Sequence, residues 1–304
     1  MADADLSQTV TLGGPSVPRP LAGRSRRGSA AGFLKEHLAL SLATGVFMLT
    51  VVIAVLAPWL PIDDPIRGDI LNRFLSPGSE GHILGTDSLG RDIFARLIWG
   101  GRTSILVGVA ANLGVTVLSV FFGLLAGYLG GRVDGVIMRL VDVGLAFPGL
   151  LLALAILAIL GPSIVNMAIA VVLSSVPLNV RFFRGEVLRV RSAKFVEAAR
   201  ILGYGKWRIM FREVLPNVMP LIITVTALHA TSFFVFTAGF SLLGLGVRPP
   251  EPDWGSMIAE GLAAIYQAPA VLLGPTVLIS VVAICFNVIG DEVQVILSPT
   301  ESQL

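Results

Sequence analysis

The chain has 304 residues, of which 54% are hydrophobic and only 14% are charged. A soluble domain of this size has too little core volume to bury so many apolar side chains, so the composition excludes an ordinary soluble fold and indicates a protein solvated by lipid. A net charge of +2 would suggest nucleic acid in a soluble chain, but here the basic residues are sorted by membrane side.

The N-terminal region has two parts. Residues 1–36 are rich in Ser, Gly, Pro and Arg, so a disordered cytoplasmic tail is predicted. The apolar run that follows ends in the small-residue pattern Val55-Leu56-Ala57, as a signal peptide does, but it is too long for a signal core and Pro58 follows at once. We therefore predict a retained membrane anchor.

Apolar runs of the length that crosses a bilayer, about 20 residues, recur along the chain. The predicted spans are Leu38–Leu60, Ser104–Leu129, Met138–Leu160, Ile164–Val180, Pro220–Leu243 and Val271–Gly290. The predicted fold class is therefore all-α, a polytopic membrane protein with about six transmembrane helices. Its expected organisation is a first span with an extracytoplasmic segment (37–103), a five-helix core (104–297) with a cytoplasmic loop (181–216), and a C-terminal cytoplasmic tail (298–304).

The basic residues set the predicted orientation. With the N-terminus inside, sixteen of the 22 Lys and Arg residues fall on the cytoplasmic side. The six on the other side are Arg67, Arg73, Arg91, Arg96, Arg102 and Arg248. This bias follows the positive-inside rule and predicts that both termini are cytoplasmic.

The segment before the second span changes character along its length. Its first half carries turn clusters such as Asp63-Asp64-Pro65, and its second half passes from Gly85 into apolar residues at helical spacing. One interpretation is an interfacial helix that contacts a partner outside the membrane. The other is a lead-in that caps the second span with Asp87 or Ser88.

The basic loop 181–216 contains a predicted amphipathic helix. Ser192 is expected to cap it and Gly203 to end it in the left-handed conformation. The apolar face is predicted from residues three and four apart: Phe195, Ala198, Ala199 and Leu202. Lys194, Glu197 and Arg200 lie around its edge.

A second apolar set follows one turn later, and Pro216 is expected to interrupt the helix before the fifth span. Its members are Trp207, Met210, Phe211 and Leu215. An exposed apolar stripe with aromatic side chains is typical of a helix that binds in a partner's groove. The alternative is an amphipathic helix lying on anionic headgroups.

After the fifth span, small residues give way to prolines and then to Asp253, Trp254 and Gly255. The prolines end the helix and stiffen the loop. Trp254 is the kind of aromatic residue that anchors at a membrane interface. The loop is predicted either to form a docking surface or to act only as a rigid connection.

Few chemically active groups lie within the spans. His229 is the deep histidine, and with no carboxylate at its depth it is predicted to be a packed core residue. No metal site is predicted, because His37, His82 and His229 fall on different faces of the membrane. Cys285 is the one cysteine, so no intrachain disulfide is expected.

Enzyme signatures are missing from the sequence. The dipeptide Gly205-Lys206 is followed by Trp207, so no phosphate-binding loop is formed, and neither a serine nucleophile motif nor H-E-x-x-H occurs. No catalytic residue is predicted, and an intramembrane enzyme is disfavoured. An ion-coupled secondary transporter is also disfavoured, because no mid-membrane ion site is evident.

Two motifs resemble a known family. Glu197-Ala198-Ala199, three residues, Gly203, nine residues and then Glu213-Val214-Leu215-Pro216 resembles the loop by which permeases of bacterial binding-protein-dependent ABC importers dock on their ATPases, with Glu213 in place of the usual isoleucine. The run from Thr86 to Arg102 resembles the C-type permease of dipeptide, oligopeptide and nickel importers.

The resemblance implies a type I importer permease in the bacterial inner membrane. It implies a homologous second permease, two cytoplasmic ATP-binding subunits that hold ATP and Mg²⁺, an extracytoplasmic substrate-binding protein, surrounding lipid and no nucleic acid. The implied ATPase-coupling residues are Phe195, Glu197, Ala198, Ala199, Leu202, Gly203, Trp207 and Pro216, and those implied in binding-protein docking are Asp253, Trp254 and Gly255. Short peptides are the expected substrate, with nickel chelates, glutathione, opines and oligosaccharides as alternatives.

Overall fold

The computed structural model describes residues 38–297, and over that range the regular structure is helical. The α-helices are α1 (Leu38–Leu56), α2 (Ile93–Leu129), α3 (Gly131–Leu145), α4 (Gly149–Leu160), α5 (Ile164–Arg191), α6 (Lys194–Ile201), α7 (Lys206–Leu242), α8 (Trp254–Ala263) and α9 (Pro269–Leu297). Within the described range, β-pairing is limited to the isolated bridges Ser79–His82 and Thr86–Asp92. The predictions for the two terminal tails lie outside this range.

Five segments are long and apolar enough to cross a membrane: α1 with the short turn that follows it, α2, α5, α7 and α9. These segments confirm five of the predicted spans. The helices α2, α5, α7 and α9 each extend beyond the apolar run predicted for them. α2 begins at Ile93, so the boundary expected between residues 103 and 104 lies inside a continuous helix.

The segment predicted as the third span, Met138–Leu160, is bent in the structure rather than one uninterrupted helix. α3 and α4 meet at an angle of 87°, and the break falls at Ala146 to Pro148. Pro148 has no backbone N–H to donate and disfavours helical geometry in the residue before it, which explains why the helix stops there. The pair is therefore a bent segment.

α2 lies at the centre of the bundle and packs most extensively against α5. The close approach depends on glycine: a Cβ at Gly123 would lie 2.9 Å from Cβ of Phe183, and one at Gly127 would lie 2.8 Å from Cβ of Val187. Small residues let helix backbones come together in lipid, where packing rather than water exclusion drives association.

The core consists of three clusters of buried apolar side chains. One joins α6 to the nearby ends of α2, α5 and α7, and we call this the α6 end of the bundle. A second lies at the opposite ends, among α1, α2, α8 and α9. The third fills the space between α2, α4, α5 and α7. The short helices α6 and α8 are thus each packed against the long ones.

Candidate functional site

The turn between α5 and α7 contains the short helix α6. The predicted cap is wrong: Ala193 occupies the capping position without a side-chain bond, and the Ser192 hydroxyl donates instead to the carbonyl of Arg189 at 2.8 Å. A serine that bonds back to the preceding turn belongs to the end of that helix. Ser192 therefore terminates α5.

The C-terminus of α6 is closed by Gly203, as predicted. Its φ of +78° is in the left-handed region. The N–H of Tyr204 donates to the carbonyl of Ala199 at 3.1 Å, and the N–H of Gly203 donates to the carbonyl of Arg200 at 3.0 Å. These two bonds form a Schellman motif, which satisfies the last carbonyls of the helix and reverses the chain.

α6 has two apolar faces. Val196 and Ala199 are buried against the α6 end of the bundle. Phe195, Ala198 and Leu202 point away and are exposed, as are Glu197 and Arg200. The sequence placed Ala199 on the outer face, which is wrong, because the inner stripe is formed by Val196 and Ala199, three residues apart.

Two aromatic side chains extend the outer face into the start of α7. Trp207 and Phe211 are 59% and 49% exposed, and their rings stack with centroids 6.2 Å apart and 13° between planes. Met210 was predicted to belong to this set but is fully buried, and Leu215 is half-buried. The outer surface of the turn is formed by Phe195, Ala198, Leu202, Trp207 and Phe211, and we call these five residues the outer patch.

Pro216 does not interrupt the helix, contrary to the prediction. α7 runs continuously past it because residues Met210–Val214 form a π-helical turn immediately before. A π turn widens the local hydrogen-bond pattern, so a residue without an N–H can follow without a break. Trp207 and Phe211 of the outer patch therefore lie on the same continuous helix as the long apolar part of α7. The other patch residues lie before it, in α6 and the turn that follows α6.

Ion pairs brace the same end of the bundle, and the sequence reading did not find them. The Arg184 guanidinium donates to both carboxylate oxygens of Asp134, at 2.5 and 2.6 Å, and Arg181 pairs with Asp142. Both pairs tie α5 to α3. The bidentate pair of Arg184 with Asp134 fixes orientation as well as charge.

At the opposite end, the predicted docking residues are buried. Trp254 is 1% exposed, and its indole N–H donates to the carbonyl of Leu97 at 2.8 Å. Asp253 caps α8 by accepting from the N–H groups of Gly255 at 2.9 Å and Ser256 at 3.2 Å. The ring of Trp254 fills the space between α2 and α8, so this side chain does not project outwards as an interfacial anchor would.

Gly255 is needed for packing. A Cβ there would lie 2.4 Å from the carbonyl oxygen of Ala238 in α7. The residues of this loop that reach the surface are Leu243 and Gly244 at its start and then the proline-containing segment Arg248, Pro249, Pro250 and Glu251. Any partner of this loop would therefore meet the proline-containing segment first, and the docking role of Asp253 to Gly255 remains a prediction.

The run that precedes α2 forms a buried charge cluster. Arg91 donates to Asp87 at 2.7 Å and to Glu260 at 2.8 Å, and Arg96 donates to the same two carboxylates. Neither Asp87 nor Ser88 caps α2; Asp92 does, by accepting from the N–H of Ala95 at 2.7 Å. Asp87 is instead held by the arginines, and this is a role that local spacing could not reveal.

His229 lies within α7 and packs edge-on against Phe233, with ring centroids 6.1 Å apart. It is half-buried. This surrounding agrees with the predicted packing role.

Five long apolar helices with a short two-faced helix displayed at one end define an integral membrane protein. Residues 119–303 match the family described as binding-protein-dependent transport system inner membrane component. The chain belongs to this family and is a permease subunit of an ABC importer.

Curated relatives cover most of the chain. It is 37% identical over 268 residues, 88% of each chain, to the glutathione transport system permease protein GsiD of Pectobacterium atrosepticum. It is 38% identical over 257 residues, 84% of each chain, to the dipeptide transport system permease protein DppC of Alkalihalophilus pseudofirmus. It is 42% identical over 262 residues to the di/tripeptide permease DppC of Pseudomonas aeruginosa, covering 84% of this chain and 86% of that one.

A solved structure has the same fold. The match is to the MetNI methionine ABC transporter in inward-facing conformations, with a TM-score of 0.55 and 15% identity, over 67% of this chain and 97% of that one. The fold predicted from the sequence is therefore confirmed. The family and the apolar helices together make the chain a multi-pass inner membrane protein.

Proposed function

We propose that this chain forms half of a translocation pathway for di- or oligopeptides. The other half is a homologous second permease, the energy comes from two cytoplasmic ATP-binding subunits, and the cargo arrives on an extracytoplasmic substrate-binding protein. The names of the DppC relatives support the peptide class. ATP and Mg²⁺ are held by the ATP-binding subunits, and this chain is non-catalytic.

The observation that carries the coupling mechanism is the two-faced α6. Its outer patch presents the stacked rings of Trp207 and Phe211 together with the exposed side chains of Phe195, Ala198 and Leu202, which is the composition of an interface hot spot. Its inner residues Val196 and Ala199 belong to the same buried cluster as Met210 and Val214 at the start of α7. A partner seated on the outer patch therefore contacts, through one helix, the base of a long membrane helix.

Motion can pass along this route because packed interiors transmit displacement rather than absorb it. When the ATP-binding subunits close, α6 is displaced with them and moves the start of α7. The ion pairs of Arg184 with Asp134 and Arg181 with Asp142 make α3 and α5 follow. The coupling requires that the ATP-binding subunits contact the outer patch differently in their two states.

The orientation belongs to the same proposal. The outer patch is cytoplasmic, both termini are cytoplasmic, and the end containing α8 faces the periplasm. The charge bias of the sequence supports this arrangement.

The test is uptake by the assembled transporter in proteoliposomes, with the substrate-binding protein on the outside. We expect ATP-dependent accumulation of a labelled dipeptide. Uptake that continues when the ATP-binding subunits are omitted would contradict the proposal in favour of an ion-coupled transporter.

Glutathione is the second candidate, favoured by the GsiD relatives. Unlabelled dipeptide, tripeptide, glutathione, a nickel chelate, an opine and an oligosaccharide should be compared as competitors. Peptides are expected to compete most strongly. Competition by glutathione alone, or by a non-peptide compound alone, would replace the peptide assignment and leave the permease role intact.

A further inference from the structure

Three side chains with metal-ligand atoms converge near the start of α2. Asp63 follows α1, His82 lies in the connecting segment, and Asp92 caps α2. One ligand atom from each lies within 4.8 Å of the other two. The sequence expectation of no metal site compared only the histidines with one another and so overlooked carboxylates that the fold brings to His82.

The geometry fixes two of the three groups before any ion arrives. Oδ1 of Asp92 accepts from the N–H of Ala95 at 2.7 Å, which orients the carboxylate. Oδ2 of the same residue lies 2.8 Å from Nδ1 of His82. The side chains of His82 and Asp92 are 20% and 7% exposed, whereas Asp63 is exposed. An ion could therefore enter from the Asp63 side and meet preoriented ligands.

We propose that Asp63, His82 and Asp92 form a binding site for a divalent first-row transition-metal ion. One imidazole and two carboxylates suit such an ion better than Ca²⁺ or Mg²⁺, which prefer oxygen ligands alone. The site is independent of the peptide pathway and of the ATP-binding subunits proposed above.

The distance between Nδ1 of His82 and Oδ2 of Asp92 can be compared with the ligand separations of different coordination geometries. With metal–ligand bonds of about 2.1 Å, two ligand atoms 2.8 Å apart subtend an angle of about 85° at the ion. A tetrahedral site would need a separation of about 3.4 Å. In its hydrogen-bonded state the pair is spaced as neighbouring ligands of a six-coordinate ion with water in the remaining positions, such as Co²⁺ or Mn²⁺, and it would have to separate by about 0.6 Å to enter a tetrahedral zinc site.

Metal binding displaces the proton in the hydrogen bond between His82 and Asp92. In the metal-free state, Nδ1 of His82 and Oδ2 of Asp92 share one proton as a hydrogen bond. Nδ1 coordinates through its lone pair, so a neutral imidazole that carries its proton on Nδ1 moves that proton to Nε2, and an imidazolium releases its Nδ1 proton to solvent and keeps the one on Nε2. The ion then ties the exit of α1 and the connecting segment to the first turn of α2.

The test uses the full transporter, purified without a polyhistidine tag, stripped with chelator and kept free of nucleotide. Titration with Co²⁺ should show about one additional site per copy of this chain relative to the His82→Ala variant, and bound Co²⁺ should raise the unfolding temperature of the wild type. Asp63→Asn should weaken this binding at least about tenfold, as loss of a ligand does. X-ray absorption at the cobalt edge should show six light-atom ligands including imidazole.

Asp64→Asn is the matched control. It changes an exposed carboxylate next to Asp63 that accepts from the N–H of Ile66 and pairs with Arg67. It should bind Co²⁺ like the wild type. Because Asp63 is exposed, its substitution leaves the fold intact and keeps the test valid even if His82→Ala is unstable. Equal binding by the wild type, His82→Ala and Asp63→Asn, or no binding by the wild type, would overturn the proposal.

Discussion

Arg96, in the first turn of α2, binds both carboxylate oxygens of Glu260 in α8, at 2.6 and 3.0 Å, across 164 residues of sequence. The arginine side chain is 1% exposed and that of Glu260 30%. Asp87 and Arg91 complete the cluster. Together with the bond from Trp254 to Leu97, it holds α8 rigidly on α2.

Glu260→Ala should destabilise the permease by about 2 kcal/mol, because it leaves two buried guanidinium groups with one carboxylate between them. Thermal unfolding in detergent measures this as a lowered melting temperature. Glu251→Ala, which removes an exposed carboxylate from the preceding loop, should leave the melting temperature unchanged. Equal melting temperatures for the wild type and Glu260→Ala would show that the cluster contributes no net stability.

Gly203→Val should abolish transport while the protein still reaches the membrane. The φ of +78° costs a residue with a Cβ about 1–2 kcal/mol, and the site is otherwise open, with no atom of the described residues within 4 Å of an added Cβ. The strain therefore falls on the Schellman motif and on the partner's surface rather than on the bundle core.

Two variants control for this glycine change. Gly205→Val adds the same side chain nearby, where φ is −65° and the space is also open, so it should transport normally. Gly203→Asn should be milder than Gly203→Val, because asparagine tolerates the left-handed region. Normal uptake by Gly203→Val at normal expression would contradict the assignment of α6 as the coupling element.

Trp207→Ala should weaken binding of the ATP-binding subunits by about 2 kcal/mol, roughly 30-fold in Kd, since aromatic residues dominate such interfaces. Pull-down and light-scattering measurements in detergent detect this loss. Trp59→Ala is the matched control, because Trp59 is an even more exposed tryptophan near the exit of α1. If the two variants bind the subunits equally well, the outer patch is not the docking surface and the headgroup interpretation takes its place.

Trp254→Ala should lower stability by about 3–5 kcal/mol, because it empties a buried site and leaves the carbonyl of Leu97 without its donor. It is therefore a poor probe of docking. Glu251→Arg, which changes only an exposed charge, should instead reduce stimulation of ATP hydrolysis by the loaded substrate-binding protein while basal hydrolysis is retained. Unchanged stimulation would mean that the loop only connects α7 to α8.

Single-cysteine labelling tests the orientation. In a Cys285→Ser background, Ser88→Cys should react with an impermeant thiol reagent added to intact cells, and Ser192→Cys should react only after the membrane is opened. Both serines are exposed in the isolated chain, so burial within the chain does not limit their accessibility to the reagent. The reverse pattern would invert the membrane orientation and move the outer patch away from the ATP-binding subunits.

The sequence by itself determined the class of fold, the approximate positions of five spans and the left-handed Gly203. These features depend on local causes, namely the length of apolar runs and the conformational freedom of glycine, and such causes can be read from neighbouring residues. The two motif stretches also identified the family that the comparisons confirmed.

Only the tertiary structure decided which face of each short helix is buried. Apolar periodicity shows that α6 is amphipathic, but lipid, a partner and the bundle core all favour apolar residues, so the burial of Ala199 and the exposure of Phe195 depend on where α7 lies. The same holds for Trp254, whose ring fills a space made by α2. Contacts across large sequence separations, such as Arg96 with Glu260 and His82 beside Asp63, exist because the folded chain brings distant segments together, and no local pattern specifies them.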